Sequence, residues 1–270
     1  MYLFEAGGTK TSLLIQDKDK VIELTFPGFN PNRYSDEFEI ALKKKIQIDA
    51  TASVYFYGSG LVEEANKQIV KELFYNLYKV KVIVYDDVTG AARAAYGDKA
   101  GLIAIMGTGG VVAYYDGNYV VERRGGYGYL IDDLGGGLEL GKIIISAWLS
   151  GDLPNKLEHA IGKFLGTSRE NFIIEFYKEV DLKKLAGVVE LITPFLSSPV
   201  VAKCVEDYFN SFFTRHVVRL VDKYKCNDLS VVGSIGYYFK DFIQKASNNN
   251  GIKLNKLIDK PAQLLLAFHR

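Results

Sequence analysis

The chain has 270 residues, 48% of them hydrophobic and 24% charged, which suits a globular protein with a sizeable core in one large or two smaller domains. Its 33 basic and 32 acidic residues leave a net charge of +1, so no global field favours nucleic acid or a membrane surface. No apolar run is long enough to span a bilayer, and the apolar start is cut at Glu5 before a secretory signal could form, so a cytoplasmic location is expected.

The first half reads as strand Met1–Phe4, a glycine turn Gly7-Gly8-Thr9-Lys10-Thr11, strand Ser12–Ile15, a turn over Asp17–Lys20 and strand Val21–Phe26. A buried strand is expected over Ser53–Gly58, a helix over Glu63–Leu77, a second buried strand over Val80–Tyr85 and a helix over Val88–Tyr96, closed by Gly97. The second half repeats the opening grammar. Strand Gly101–Met106 meets a turn at Gly107-Thr108-Gly109-Gly110, then come strand Val111–Tyr115, a turn at Asp116-Gly117-Asn118 and strand Tyr119–Arg123. Helices are expected over Leu140–Leu149, Leu157–Leu165, Ser168–Val180 and Val200–Tyr224. Strand Leu229–Val232 then enters a third glycine turn at Gly233-Ser234-Ile235-Gly236, followed by a helix to Ala246, a final strand and a final helix over Pro261–His269.

Two glycine turns, one in each half, suggest a duplicated fold that grips a polyphosphate. Without a Cβ in the way, backbone N–H groups of such a turn can point into a common space that suits phosphate oxygens. Read alone, each turn could also be a plain hairpin. The cysteines, Cys204 and Cys226, form no C-x-x-C motif and cannot by themselves complete an iron–sulfur or zinc site. A disulfide between them has no support. No metal-ligand spacing involves His159, His216 or His269.

Taken in order, Gly7–Thr11, Asp87-Val88-Thr89-Gly90-Ala91-Ala92-Arg93-Ala94, Gly107–Gly110, Gly126-Tyr127-Gly128 with Asp133 and Gly135, and Val232-Gly233-Ser234 resemble the acetate- and sugar-kinase/actin-like ATPase superfamily. Within it the chain resembles the N-acetylglucosamine kinase and benzoyl-CoA-reductase-type ATPase family. The resemblance implies an α/β protein of two ribonuclease-H-like domains with an interdomain cleft: residues 1–98 with a returning helix at about 259–270, and a nucleotide-binding domain over 99–258. The tight Asp98–Ala100 boundary would serve as a hinge. The implied cofactors are ATP and Mg2+, the substrate is an amino sugar, and the resemblance admits a homodimer.

The same resemblance distributes roles. Gly7, Gly8, Thr9, Lys10 and Thr11, with Gly107, Thr108, Gly109 and Gly110, would hold phosphates, and Gly233 and Ser234 would approach the adenosine. Asp87 would be the general base for the sugar hydroxyl. A helix N-cap is the competing role for that residue, and Asp86 could fill it equally well. Asn30, Gly126, Tyr127, Asp133 and Thr108 would contact the sugar, although Tyr127 also reads as a core residue, Asp132-Asp133 as a turn, and Gly233 as a strand end. Glu5 stands where the family carries the aspartate that helps hold magnesium, and its extra methylene moves the carboxylate by roughly 1.5 Å. Leu134 stands where the family carries a second acid.

The expected activity is ATP-dependent phosphorylation of N-acetylglucosamine at its 6-hydroxyl. The alternative, motivated by Glu5 and Leu134, is a non-catalytic nucleotide- or sugar-binding protein of the same fold. An ATPase activator of a radical dehydratase would need cysteines placed to share an iron–sulfur cluster, and Cys204 and Cys226 lie elsewhere relative to the motifs.

Overall fold

A computed structural model describes residues 1–18, 20–33 and 35–270; the predicted Asp17–Lys20 turn includes Asp19, outside the described residues. The chain divides into two compact units. The first comprises Met1–Ala100, Tyr115–Val120 and Lys260–Arg270; the second comprises Gly101–Tyr114 and Val121–Asp259.

In the first unit, β1 (Tyr2–Ala6), β2 (Lys10–Asp17), β3 (Lys20–Pro27), α1 (Glu37–Lys45), β4 (Val54–Gly58), α2 (Glu64–Tyr78), β5 (Val82–Asp86) and α3 (Asp87–Tyr96) follow in order. The sheet runs β3-β2-β1-β4-β5, with β1 antiparallel to β2 and parallel to β4. Period-two alternation sorts its side chains. Phe4 enters a layer with Phe38, Phe56 and Phe74, whereas Leu3 joins Leu14, Leu265 and Leu266 on the other face.

The second unit contains β6 (Gly101–Met106), β7 (Gly110–Tyr115), β8 (Val120–Gly125), α4 (Gly137–Ser150), α5 (Asn155–Leu165), α6 (Arg169–Lys178), α7 (Leu182–Ile192), α8 (Pro199–Phe212), α9 (Val218–Tyr224), β9 (Asp228–Val232), α10 (Ser234–Tyr238), α11 (Lys240–Asn249) and β10 (Lys253–Ile258). Its sheet runs β10-β9-β6-β7-β8, so from the opposite edge its order repeats that of the first sheet. The duplication read from the paired turns is therefore a duplication of sheet topology. Cys204 and Cys226 are free thiols.

The expected continuous helix over Val200–Tyr224 is interrupted by one wide π turn at Phe213–Val217, between α8 and α9. Phe212, Phe213, His216, Val217 and Leu220 are buried on both sides of the break, so the core face continues through the wider turn. Helices α1 and α7 were not anticipated.

A last helix, α12 (Ala262–Phe268), packs on α3, β1 and β2. Its end is held by an aromatic cluster. Arg93 donates to the Tyr57 hydroxyl at 3.0 Å and its guanidinium lies 3.9 Å from the centre of the Tyr85 ring, while His269 Nε2 lies 2.7 Å from the same hydroxyl. Burial, reinforced by the Arg93 charge, lowers the His269 pKa to about 4.

Candidate functional site

In the first unit β1 runs directly into the first glycine turn. Gly7 N–H donates to the Lys10 carbonyl at 2.8 Å, leaving Gly8, Thr9 and Lys10 exposed at the tip. Thr11 is different: it pairs with Ala6 and Phe26 inside the sheet, is fully buried, and its hydroxyl has no hydrogen-bond partner. The segment after β3 closes over the turn through Gly28, where a Cβ would lie 2.5 Å from the Gly8 backbone. Only glycine permits that approach, and sequence reading gave Gly28 no role. The same segment carries Asn30, which donates to Ser59 Oγ at 3.0 Å and accepts from the Asn32 N–H at 2.9 Å.

The competition between the two aspartates has a clear geometric outcome. Asp86 is 7% exposed; its Oδ1 accepts from the Thr89 N–H at 3.0 Å and its Oδ2 from the Thr89 hydroxyl at 2.7 Å. That makes Asp86 the N-cap of α3. Asp87, the first residue of the helix and only part-buried, accepts from the Val88 N–H at 2.9 Å. Glu5 lies in its field: burial first, and then the Asp87 charge, push the Glu5 carboxyl above its usual range, while Lys10 opposes the shift. Glu5, Lys10 and Asp87 thus form one electrostatic group.

Two mutually repelling carboxylates suit a cation. Among the described residues no group of three or more His, Cys, Asp or Glu side chains could hold a metal ion. The arrangement fits magnesium, which keeps most of its coordination as waters and phosphate oxygens and takes one or two carboxylates from a protein.

In the second unit, the turn after β6 serves as the seat of α4. The carbonyls of Gly107 and Thr108 accept from the N–H groups of Gly137 and Leu138 at 2.8 and 3.0 Å. A Cβ on Gly110 would meet the Leu134 carbonyl oxygen at 2.2 Å, so the backbones are in contact there. Tyr208 locks the approach: its hydroxyl accepts from the Gly135 N–H at 2.8 Å and donates to the Gly136 carbonyl at 2.6 Å. Gly135 and Gly136, just after Asp133, therefore fit α4 onto the turn. Leu134 is a core residue, 8% exposed.

Asp133 is held against Gly109, with Oδ1 3.0 Å from where a Cβ would stand. Burial raises its pKa, against the Gly128 N–H bond that lowers it. Gly233, with φ of +116°, packs against the Met106 carbonyl at the entrance to the same turn, and the exposed Ser234 opens α10. The second unit thus gathers Gly107–Gly110, Asp133 and Gly233 from three distant stretches.

Tyr127 is 60% exposed, which excludes the core reading, and its N–H donates to the Asp132 carbonyl at 2.9 Å. It follows Gly126 in a loop whose backbone takes left-handed values at Gly125, Gly126 and Gly128. His216, given no role from sequence, lies with Nε2 3.2 Å from Asp132 Oδ2. No sequence signal joins these residues, because the π turn that presents His216 is itself invisible in the pattern.

No family profile matches the chain. A protein of Porphyromonas gingivalis provisionally named an N-acetylglucosamine kinase superposes with a TM-score of 0.88 at 26% identity, over 100% of this chain and 98% of that one. The chain has the fold of the actin-like ATPase sugar kinases. A provisionally named N-acetylglucosamine kinase of Chromobacterium violaceum gives a TM-score of 0.78 at 16% identity, covering 100% and 99% of the two chains. The N-acetylmuramic acid/N-acetylglucosamine kinase of Clostridium acetobutylicum is 26% identical over 221 residues, 74% of this chain and 72% of that protein. A ROK-family glucokinase of Streptomyces griseus, solved with glucose and AMPPNP, shares the fold at a TM-score of 0.56 and 13% identity, over 100% and 98% of the chains. The resemblance read from the ordered motifs and the α/β fold class expected from it are both borne out. No helix among the described residues is long and apolar enough to cross a membrane.

Proposed function

We propose that this chain is an ATP-dependent sugar kinase whose substrate is an amino sugar, N-acetylglucosamine being the leading candidate, phosphorylated at the 6-hydroxyl. The observation that carries the reading is the division between the two aspartates: Asp86 is committed to capping α3, while Asp87 starts the helix beside Glu5 and Lys10. Asp87 accepts the proton of the sugar hydroxyl as that oxygen attacks the γ-phosphorus. The bond from phosphorus to the β,γ-bridging oxygen breaks, and ADP leaves with the bridging oxygen. Phosphoryl transfer asks the protein mainly for positioning and charge stabilisation.

Gly7–Thr11 and Gly107–Gly110 are assigned to the phosphates, with Thr11 contributing backbone only because its side chain is buried in β2. Gly233 and Ser234 are assigned to the adenosine side. Glu5 would help hold magnesium, which would supply charge neutralisation on the phosphates. Asn30, Gly126, Tyr127 and Asp133 are assigned to the sugar, the exposed Tyr127 ring offering an aromatic face to a pyranose. Thr108, exposed at the turn, is placed to serve either ligand.

One observation favours a non-catalytic binder: Leu134 is built into the core, so that position supplies no second acid. ADP release across a panel of hexosamines, with magnesium and with manganese, separates the two readings. Sugar-stimulated release supports the kinase. Binding of ATP and sugar with no stimulated release under any condition supports the binder.

A further inference from the structure

A cavity of about 370 Å³ in the second unit lies behind the Tyr127 loop and is lined by Arg124, Tyr127, Asp132, Arg215, His216 and Arg219. Its volume is that of a small-molecule site, well beyond the roughly 30 Å³ of one water. Of these residues only Tyr127 has a part in the proposed phosphoryl transfer, as a sugar contact.

The charges in the cavity do not cancel. Asp132 is the one carboxylate on the lining. Its oxygens lie 3.2 Å from His216 Nε2 and 3.8 Å from the Arg215 guanidinium. The Arg215 contact is longer than a hydrogen bond, so that guanidinium keeps its donors for another acceptor. Burial lowers the His216 pKa, although Asp132 opposes the shift, so the imidazole is neutral near pH 7. Three arginines therefore face one carboxylate.

Two further details show groups lacking partners. Arg124 Nε and His216 Nδ1 are buried with no hydrogen-bond partner, and His216 as a whole is only 4% exposed. Of the two, the Arg124 Nε–H is a donor that a bound acceptor would satisfy, whereas the neutral His216 donates through Nε2 to Asp132 and its Nδ1 is itself an acceptor. The local backbone is specialised as well. The π turn at Phe213–Val217 presents Arg215 and His216, and Arg219 follows one turn later on α9. Such turns occur frequently at functional sites.

We propose that Arg124, Arg215 and Arg219 form an oxyanion subsite that binds a carboxylate or phosphate group. Arginine suits this task because its planar fork offers paired N–H donors and stays charged. Two sources share the chemistry. One is an acidic substituent on an amino sugar whose ring lies at Tyr127; this source rests on the kinase reading. The other is a free phosphate-type anion, which does not.

The test is calorimetric titration of the full chain, without nucleotide, using inorganic phosphate, N-acetylglucosamine and N-acetylmuramic acid, the last being the same ring with a carboxylate-bearing ether. Arg215→Ala and Arg219→Ala are the variants, since both side chains are exposed and their loss leaves the core intact. The expected result is a loss of at least about tenfold in affinity for an anionic ligand in both variants, with affinity for N-acetylglucosamine unchanged. If only N-acetylmuramic acid responds, the source is the sugar substituent; if phosphate responds alone, it is the free anion. Affinities unchanged in both variants, or no binding of either anion by the wild type, overturn the subsite. ADP release with N-acetylglucosamine is read in parallel. Its absence alongside anion binding refutes phosphorylation of N-acetylglucosamine and leaves the subsite standing.

Discussion

Replacing Asp86 and Asp87 one at a time should separate stability from turnover. Asp86→Ala removes two hydrogen bonds to Thr89, at 3.0 and 2.7 Å, from a carboxylate that is 7% exposed. Loss of an N-cap costs about 1–2 kcal/mol. For a chain of this size that lowers the melting temperature by roughly 2–8 °C. Asp87→Asn keeps the shape and the contact with the Val88 N–H but removes the base. Turnover should fall by ~10²–10⁴-fold, equivalent to about 3–5 kcal/mol of barrier, with the melting temperature held within a degree or two. The assays are thermal melting by circular dichroism and coupled ADP release at saturating sugar and ATP. An Asp87→Asn enzyme within tenfold of wild type refutes the general-base assignment. So does an Asp86→Ala enzyme that loses turnover while its melting is unchanged, because the two roles would then be reversed.

Tyr208→Phe removes the hydroxyl that bridges the Gly135 N–H and the Gly136 carbonyl; the carbonyl keeps the Leu140 N–H at 3.3 Å, but the buried Gly135 N–H is stranded at a cost of about 1–3 kcal/mol. Since those residues seat α4 on the Gly107–Gly110 turn, KM for ATP should rise with kcat little changed; an unaltered KM would show that the turn does not hold the nucleotide. The acid dependence of stability should trace partly to His269. Its folded pKa of about 4 lies below the ordinary 6.5, so its contribution is complete above 6.5 and is lost as pH falls toward 4. The melting profile of His269→Gln should flatten across that window relative to wild type, and parallel profiles would remove His269 as the cause.

The sheets were legible because their signals are local. Strands β1, β2, β6 and β7 show as apolar runs bounded by glycine turns, and their repetition anticipated the shared sheet order. Helix α1 escaped notice because it buries only Phe38 and Leu42. Helix α4 begins at Gly137, three residues before its expected start, since its first turn is built from glycines whose value is close backbone approach and not helix propensity. At the site, the residue types at Glu5, Asp87 and the turns were readable. What sequence could not assign was which neighbour does which task. Asp86 and Asp87 differ only in direction, and the Tyr208 contact joins positions 72 residues apart.

The first unit is closed by a helix that the ribosome makes only after the second unit. Leu265 and Leu266 of α12 cover Leu3 and Leu14, and the Tyr115 hydroxyl, from another late segment, lies 3.0 Å from the Gly97 carbonyl. During synthesis, that face of the N-terminal sheet, packed by α3 alone, must therefore wait for α12 until the whole of the second unit has been translated. A stalled or truncated chain ending before Lys260 would present that face as a sticky surface for chaperones or for other nascent chains. A sheet whose strands emerge before the second unit is thus covered by a helix that emerges after it.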